Sequence, residues 1–354
     1  MNKFPSYLDH ASTTPVDPRV LDAMLPYFSE MFGNASSNHI YGKQAKSAID
    51  QSRTHVAQLI GAEAKEVYFT SGATESINWA IKGYLEENPE KGKHIITVKT
   101  EHKAVLQTCE YLESRGTEVT YLDVDQNGLI SLDELKDSIK DSTSMICVMH
   151  VNNEIGIIQD IKAIGQIAKE NDICFFCDAT QAAGKVPIDV VDNDIDLLCL
   201  SAHKMNGPKG TGALYIKSGI KLTPLLHGGA QEKGMRGGTY NTPLIVGFGE
   251  AARIALDEFD ERVNQMLEQR DKWQAYFKEQ GLGVVQFKNT HRAPHILSVQ
   301  VNTDGEDFLI MNVTKFAAST GSACNAALTE VSHVLKAIGN EGSNVVRISI
   351  STKQ

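Results

Sequence analysis

VYFTSGATESINWAIKG, residues 67–83, carries the reading of the fold. Val67–Thr70 are β-branched or aromatic and read as a short strand, Ser71-Gly72 break it, and an amphipathic run follows. The same unit recurs downstream. HIITVKTEH (94–102) precedes KAVLQTCEYL (103–112), and SMICVMHV (144–151), ICFFCDA (173–179), DLLCLSAHK (196–204) and GALYI (212–216) supply further short apolar runs. Short buried runs alternating with longer amphipathic ones predict an α/β domain built on a mainly parallel sheet. Ligands in such sheets sit beyond the carboxyl ends of the strands, so the polar clusters that close these runs should converge on one site. From about Ala251 to Gln280 one long charged helix is predicted to leave this domain. HILSVQV (295–301) and VVRISI (345–350) then predict strands of a smaller α+β domain.

Composition narrows the function classes. The chain has 354 residues, 42% hydrophobic and 22% charged, enough for a large core shared by two closely packed domains. Neither the start, MNKFPSYLDHASTTPVDP, nor any later segment has the uninterrupted apolar length of a membrane helix, which predicts a cytoplasmic protein with no membrane partner. A formal charge of −10 repels phosphate backbones and argues against direct nucleic-acid binding. The six cysteines divide by setting. Cys109, Cys147, Cys174, Cys177 and Cys199 lie among apolar residues and read as core. Cys324 follows Ser319-Thr320-Gly321-Ser322-Ala323, a small, polar, loop-like stretch, and is the reactive candidate.

Five strand ends hold the parts of a pyridoxal-phosphate (PLP) site. Ser71-Gly72-Ala73-Thr74 opens a helix whose N–H groups can seat a phosphate, although taken alone a plain helix cap explains it. Asp178 closes ICFFCDA and can keep a pyridine nitrogen protonated. Ser201-Ala202-His203-Lys204 places an amine where an aldehyde could form a Schiff base. His102 and Asn153 stand at two further strand ends, available to stack on a ring and to hold its oxygen.

Four other patterns are read as carrying no function. Asp123–Glu134 fits the residue spacing of a calcium-binding EF-hand loop, but TEVTYLDV before it alternates as a strand where a helix is required, so a turn ahead of a helix is expected. Cys174 and Cys177, three apart on a strand, point to opposite faces and cannot chelate one metal. Gly207–Gly212 follows Lys204 and precedes a strand, so it reads as a tight turn with Lys209 solvated. His39, His150, His227, His291, His295 and His333 lack metal-ligand spacing, and no metal site is expected.

SGATES, TEHKAV, HVNNEIG, DATQAAG, SAHKMNGPKG and GSAC, in this order and at these separations, resemble the NifS/IscS-like cysteine desulfurases of the class V aminotransferase family, from YLDHASTTPVDPRV near the start to VVRISIS near the end. The resemblance implies an aspartate-aminotransferase-like, fold type I PLP enzyme. Residues 15–255 would form the large cofactor-binding α/β domain, and residues 1–14 with 256–354 the small α+β domain carrying the Cys324 loop and Arg347. It implies that Ala73, Thr74, Ser201 and His203 hold the phosphate, that His102 stacks on the ring, and that Asp178 pairs with the ring nitrogen. Gln181 and Asn153 would contact the ring oxygen or the substrate, and Lys204 would carry the cofactor. Thr239 would reach the phosphate of a second copy, making a homodimer. Arg347 would grip the carboxylate of L-cysteine, and Asn34 would line the substrate mouth.

The implied reaction turns L-cysteine into L-alanine. Lys204 and His102 move the α-proton, and Cys324 takes the sulfur as a persulfide for transfer to an acceptor protein, in iron–sulfur assembly, tRNA thiolation or DNA phosphorothioation. A PLP lyase or aminotransferase acting on another amino acid would need no loop cysteine. A catalytically weak partner scaffold would not need Lys204, Asp178, Cys324 and Arg347 together. Two departures from the family stand out. Asn325-Ala326 replaces the usual Thr-Ser pair after the cysteine. The chain also stops seven residues beyond Arg347 where members run several dozen further, so a dedicated acceptor is expected in place of a general one.

Overall fold

The computed structural model of the chain describes residues 5–288, 290–321 and 331–352. Cys324 and its neighbours Asn325 and Ala326 lie outside the described residues. The described strands are β1 (Ser6–Tyr7), β2 (Val67–Thr70), β3 (His94–Val98), β4 (Glu118–Leu122), β5 (Thr143–Met149), β6 (Cys174–Asp178), β7 (Leu197–Ser201), β8 (Gly212–Ile216), β9 (Gly283–Val285), β10 (Ile296–Val301), β11 (Phe316–Ala317) and β12 (Val345–Ser349).

Seven of them form one sheet in the order β2-β8-β7-β6-β5-β3-β4. Every pairing in it is parallel except the two made by β8, which is antiparallel to both β2 and β7. Six strands therefore run one way and deliver their carboxyl ends to one edge, where β8 begins. This is the predicted α/β architecture, that of a large, mostly parallel mixed sheet. Strands β3, β5, β6, β7 and β8 are buried along their whole length, which is why they read as unbroken apolar runs. Alternate residues feed two separate cores. Ile146, Val148, Phe175, Cys177, Leu198 and Leu200 pack on one face, and Met145, Cys147, Cys174, Phe176, Leu197 and Cys199 on the other. Cys174 and Cys177 thus lie on opposite sides of the sheet, as period-two geometry requires.

A second, three-stranded antiparallel sheet, β12-β10-β9, has its own core around Phe277, Leu297, Phe308, Phe316 and Val346. The N-terminal segment joins it: β1 pairs in parallel with β11, and Leu8 enters that core. One expectation needs correction. The long helix predicted over 251–280 is two helices, Thr242–Asp257 and Phe259–Glu279, parted at Glu258, whose φ of −106° and ψ of 17° leave the helical region. The first of these packs its apolar face on the large core through Ile245, Phe248 and Ala252. The second turns toward the small sheet, and a hydrophobicity pattern cannot register a change of direction between two charged, helix-forming stretches. The EF-hand-like segment is a turn: Asp125 Oδ1 accepts from the Asn127 N–H (2.8 Å) and the Leu129 N–H (2.9 Å) before the short helix Leu132–Asp137.

Candidate active site

A cavity of about 520 Å³ opens at the sheet edge where the strands end. Each wall follows from a strand terminus. After β2, Gly72 caps the helix Ala73–Glu87 without any side-chain bond, so the first-turn N–H groups stay available at the cavity, where Ala73 and Thr74 lie. After β3, His102 caps the helix Lys103–Glu113. Its Nδ1 accepts from the Ala104 N–H at 3.1 Å, which leaves Nε2 to carry the proton of the neutral ring. Burial lowers the His102 pKa against the opposing pull of Asp178, favouring that neutral ring. β6 ends on Asp178, which is buried. Its Oδ1 accepts from the Thr180 N–H (2.9 Å) and the Cys199 thiol (3.3 Å). β7 ends on Ser201 and leads through Ala202–Lys204 back to the cavity.

Lys204 Nζ donates to the carbonyls of Ala11 (2.6 Å) and Ser12 (2.7 Å), and Gln181 Nε2 donates to the same Ala11 carbonyl (2.8 Å). His203 Nδ1 lies 3.1 Å from Thr13 Oγ1. Burial, aided by Lys204, lowers its pKa to about 4, so this ring is neutral at neutral pH. Arg347 comes from the small sheet. It donates to Asp9 Oδ1 (2.6 Å), Ser12 Oγ (2.7 Å) and the Asn153 carbonyl (2.9 Å), while its Nε is buried without a partner. The cavity therefore holds a phosphate-type seat, a carboxylate, an amine and a guanidinium around one volume. These parts fit pyridoxal phosphate: the uncapped helix start would take its phosphate, Asp178 its ring nitrogen and Lys204 its aldehyde carbon.

Of the residues singled out in the sequence, Ala73, Thr74, His102, Asn153, Asp178, Gln181, Ser201, His203, Lys204 and Arg347 border this cavity. Thr239 and Asn34 do not. Thr239 is exposed and lines an adjoining cavity that shares Ser71 and Gly210 with the first. Asn34 is exposed and folds onto its own chain, its Oδ1 accepting from the Ser36 N–H at 2.9 Å.

The segment Asp9–Thr13 was assigned no role from sequence, yet its carbonyls and side chains engage Lys204, His203, Gln181 and Arg347. Its run of small hydroxyl residues before Pro15 was the available signal. Glu154 was also missed. Its Oε2 accepts from the Ser332 hydroxyl at 2.5 Å, and a Cβ built on Gly321 would lie 3.2 Å from the same atom. Ser319 pairs with the Arg347 main chain, and His333 Nε2 lies 2.9 Å from the Glu101 carbonyl. Both described ends of the segment that carries Cys324 are thus fastened beside the cavity. The five described cysteines are all buried. Burial pushes the thiol of Cys109 up to about 12 and those of Cys147, Cys174, Cys177 and Cys199 well above the usual range.

A family model described as Aminotransferase class-V matches residues 6–354. A cysteine desulfurase IscS of Methanosarcina thermophila is 51% identical over 342 residues, covering 94% of this chain and 83% of the relative. Among solved structures, a NifS-like protein superposes with a TM-score of 0.90 at 35% identity, covering 98% of this chain and 94% of that one. A structure described as SspA in complex with cysteine gives 0.89 at 40% identity, covering 99% of both chains.

Proposed function

We infer, from the premise that this chain belongs to the aminotransferase class-V family, that it is a pyridoxal-phosphate-dependent cysteine desulfurase, as its relatives at about half identity are named. Bound PLP supplies the electron sink that lets the Cα–H bond of an amino-acid substrate break. The chain's own residues do the rest. Arg347 binds the substrate carboxylate, Asp9 and Ser12 holding the guanidinium in place for it. His102, neutral and oriented by the helix it caps, would hold the cofactor ring and would assist Lys204 in moving the α-proton. Cys324 is the sulfur acceptor. Its thiolate attacks the substrate sulfur, the substrate's Cβ–S bond breaks as the S–S bond forms, and the three-carbon remainder takes up a proton and leaves as alanine.

The observation that carries this reading is the anchoring of both described ends of the Cys324 segment at the cavity, through Ser319 on Arg347 and Ser332 on Glu154, beside an amine and a carboxylate suited to PLP. The buried, high-pKa thiols elsewhere offer no competing nucleophile among the described residues. The division into residues 15–255 and residues 1–14 with 256–354 follows the same logic, supported by the separate core of the small sheet. A homodimer is part of the proposal. Thr239 is exposed and outside its own cavity, and Phe28, Phe32, Ile40 and Tyr41 present an uncovered apolar patch suited to a second copy. A sulfur-acceptor protein, with the protein acting in the cytoplasm, completes it. The test is Cys324→Ala: it should bind PLP and cysteine yet form no persulfide and release no alanine, whereas Cys177→Ala should do both at close to the wild-type rate. Persulfide formation by the Cys324 variant would refute the assignment.

A further inference from the structure

His295 precedes β10 and is fully buried, yet no step described above uses it. Its Nε2 lies 3.1 Å from Oε1 of Gln181, a buried residue that borders the cofactor cavity. The nitrogen of the same Gln181 amide donates to the Ala11 carbonyl (2.8 Å), which also receives the Lys204 amine (2.6 Å). One amide thus joins the small domain to a carbonyl that Lys204 shares.

Chemistry settles the direction of each of these bonds. A backbone carbonyl only accepts, so the Gln181 nitrogen must face Ala11 and its oxygen must face His295. An amide oxygen also only accepts, so His295 Nε2 carries a proton. Nδ1 of the same ring is buried without a partner, and charging the ring would put a second N–H at that position. Lys185, Arg347, His10 and Lys204 bear on the ring, and all are basic. Burial together with these neighbours holds the His295 pKa well below 6.5, so the ring is neutral and fixed as the Nε2–H tautomer.

Both ends of the amide are held by one end of the small sheet. The Ile350 N–H donates to the His295 carbonyl (2.9 Å), fixing this residue just beyond β12. Ser349, the last residue of β12, pairs with Ile296 on β10, and its Oγ accepts from the Ala11 N–H (2.9 Å). The Gln181 amide therefore spans two anchors, His295 and Ala11, that are tied to adjacent residues. Turning it over would set its oxygen against the Ala11 carbonyl and its NH2 against the His295 Nε2–H, leaving buried groups unsatisfied on both sides.

We propose that His295 is a positioning residue that locks the Gln181 amide, so that Gln181 presents the cavity with an N–H donor and never with its oxygen. One amide hydrogen serves Ala11, and the second can serve an oxygen in the cavity. In pyridoxal phosphate the ring hydroxyl is carried on the carbon next to the one bearing the aldehyde. A donor that shares a carbonyl with Lys204 is placed to meet that oxygen. It would favour the ionised hydroxyl, which an amide oxygen would repel. The lock is a property of the chain itself, whereas the identity of the oxygen rests on the reading of the cavity as a PLP site.

The experiment has two arms, both on the full-length protein. Nitrogen-15 spectra of the histidine-labelled protein, with His295→Gln to assign the ring, should show a neutral Nε2–H tautomer at neutral pH. An Nδ1–H tautomer or a charged ring would overturn the lock whatever binds in the cavity. In the second arm the cofactor-free protein is titrated with PLP and with 3-deoxypyridoxal phosphate, which lacks the ring hydroxyl. His295→Leu should bind PLP about tenfold more weakly, the loss of one hydrogen bond to a charged oxygen, and bind the deoxy compound as the wild type does. His295→Gln keeps an N–H at the reach of Nε2 and should recover most of the PLP affinity. In a Gln181→Leu background, His295→Leu should change PLP affinity no further, because it acts through that amide. Equal losses for PLP and the deoxy compound in His295→Leu would mark a general packing defect and overturn the proposal, as would a His295 effect that persists without Gln181. If the wild type binds neither compound, the PLP reading fails, and the nitrogen spectra still decide the lock.

Discussion

Replacing Gly212 with alanine should loosen the cofactor seat without touching any residue assigned to chemistry. Gly212 opens β8 and is paired with Thr70 at the end of β2 on one side and with Ser201 at the end of β7 on the other. It is therefore the hinge pin between the helix start proposed to hold phosphate and the turn that carries Lys204. A Cβ at this position would stand 2.5 Å from the Leu200 carbonyl oxygen and 2.6 Å from Gly72 Cα, where ordinary contact begins at 3.4 Å. Both obstacles are main chain and cannot rotate away, so the strands must part by about 0.9 Å at a cost of ~1–3 kcal/mol. If that shift falls on β2, N–H groups set about 2.9 Å from a phosphate oxygen move to about 3.8 Å, beyond hydrogen-bond range. Losing one or two bonds of this kind, at ~1.5 kcal/mol each, weakens PLP retention by about 10- to 100-fold. Titration of the apoenzyme with PLP, followed by absorbance, reads the affinity, and a thermal melt of the apoenzyme reads the strain. A Gly212→Ala enzyme that holds PLP as tightly as wild type would show that the two strand ends do not depend on their close approach, and the account of the seat would fail.

Arg347→Lys should raise the KM for cysteine by about 10- to 100-fold, since a point charge replaces a planar fork and one or two charge-assisted bonds are lost, while PLP binding changes little; an unchanged KM would remove Arg347 from the substrate site. His150 is buried, its Nδ1 unpartnered, and its pKa is lowered by burial from 6.5 to about 4. The unfolded chain therefore binds a proton that the folded chain refuses, so this residue leaves stability untouched above pH 6.5 and lowers it as pH falls toward 4, by about 3 kcal/mol in full. His10 and His203, also lowered to about 4, act in the same direction. Urea midpoints should fall between pH 7.5 and 5 and fall less in His150→Phe; equal slopes would place the acid sensitivity elsewhere. Phe28→Glu, in the exposed apolar patch, should leave the proposed dimer as a monomer in sedimentation and reduce activity through loss of the second copy's Thr239, and an active monomer would contradict the proposed shared site.

Some of this protein is written in its sequence alone. Strands buried on both faces leave an unbroken apolar signature, so β3, β5, β6, β7 and β8 are legible, and each ends at a polar residue because the chain there leaves the core. Asp178, Ser201 and Lys204 could be picked out for that reason, since strand end and site coincide in an open α/β sheet. Cys324 is legible by contrast of setting, and the order of motifs identifies the family because spacing within one chain is a property of sequence.

Tertiary structure decided what depends on contacts distant along the chain. The antiparallel insertion of β8 between β2 and β7 cannot be read from an apolar run, which is the same for either direction, yet it makes Gly212 a structural joint. Nothing in Asp9–Thr13 announces that its carbonyls would receive Lys204, because main-chain acceptors carry no residue signature and their partners lie some 190 positions away. Glu154 reads as one more charged residue until folding brings Ser332 to it across 178 positions. The unpaired burial of Lys185 is the clearest case. A lysine after a glycine reads as solvated surface, and only the packing of segments distant along the chain buries its amine without a hydrogen-bond partner, with Lys204 and Arg262 nearby.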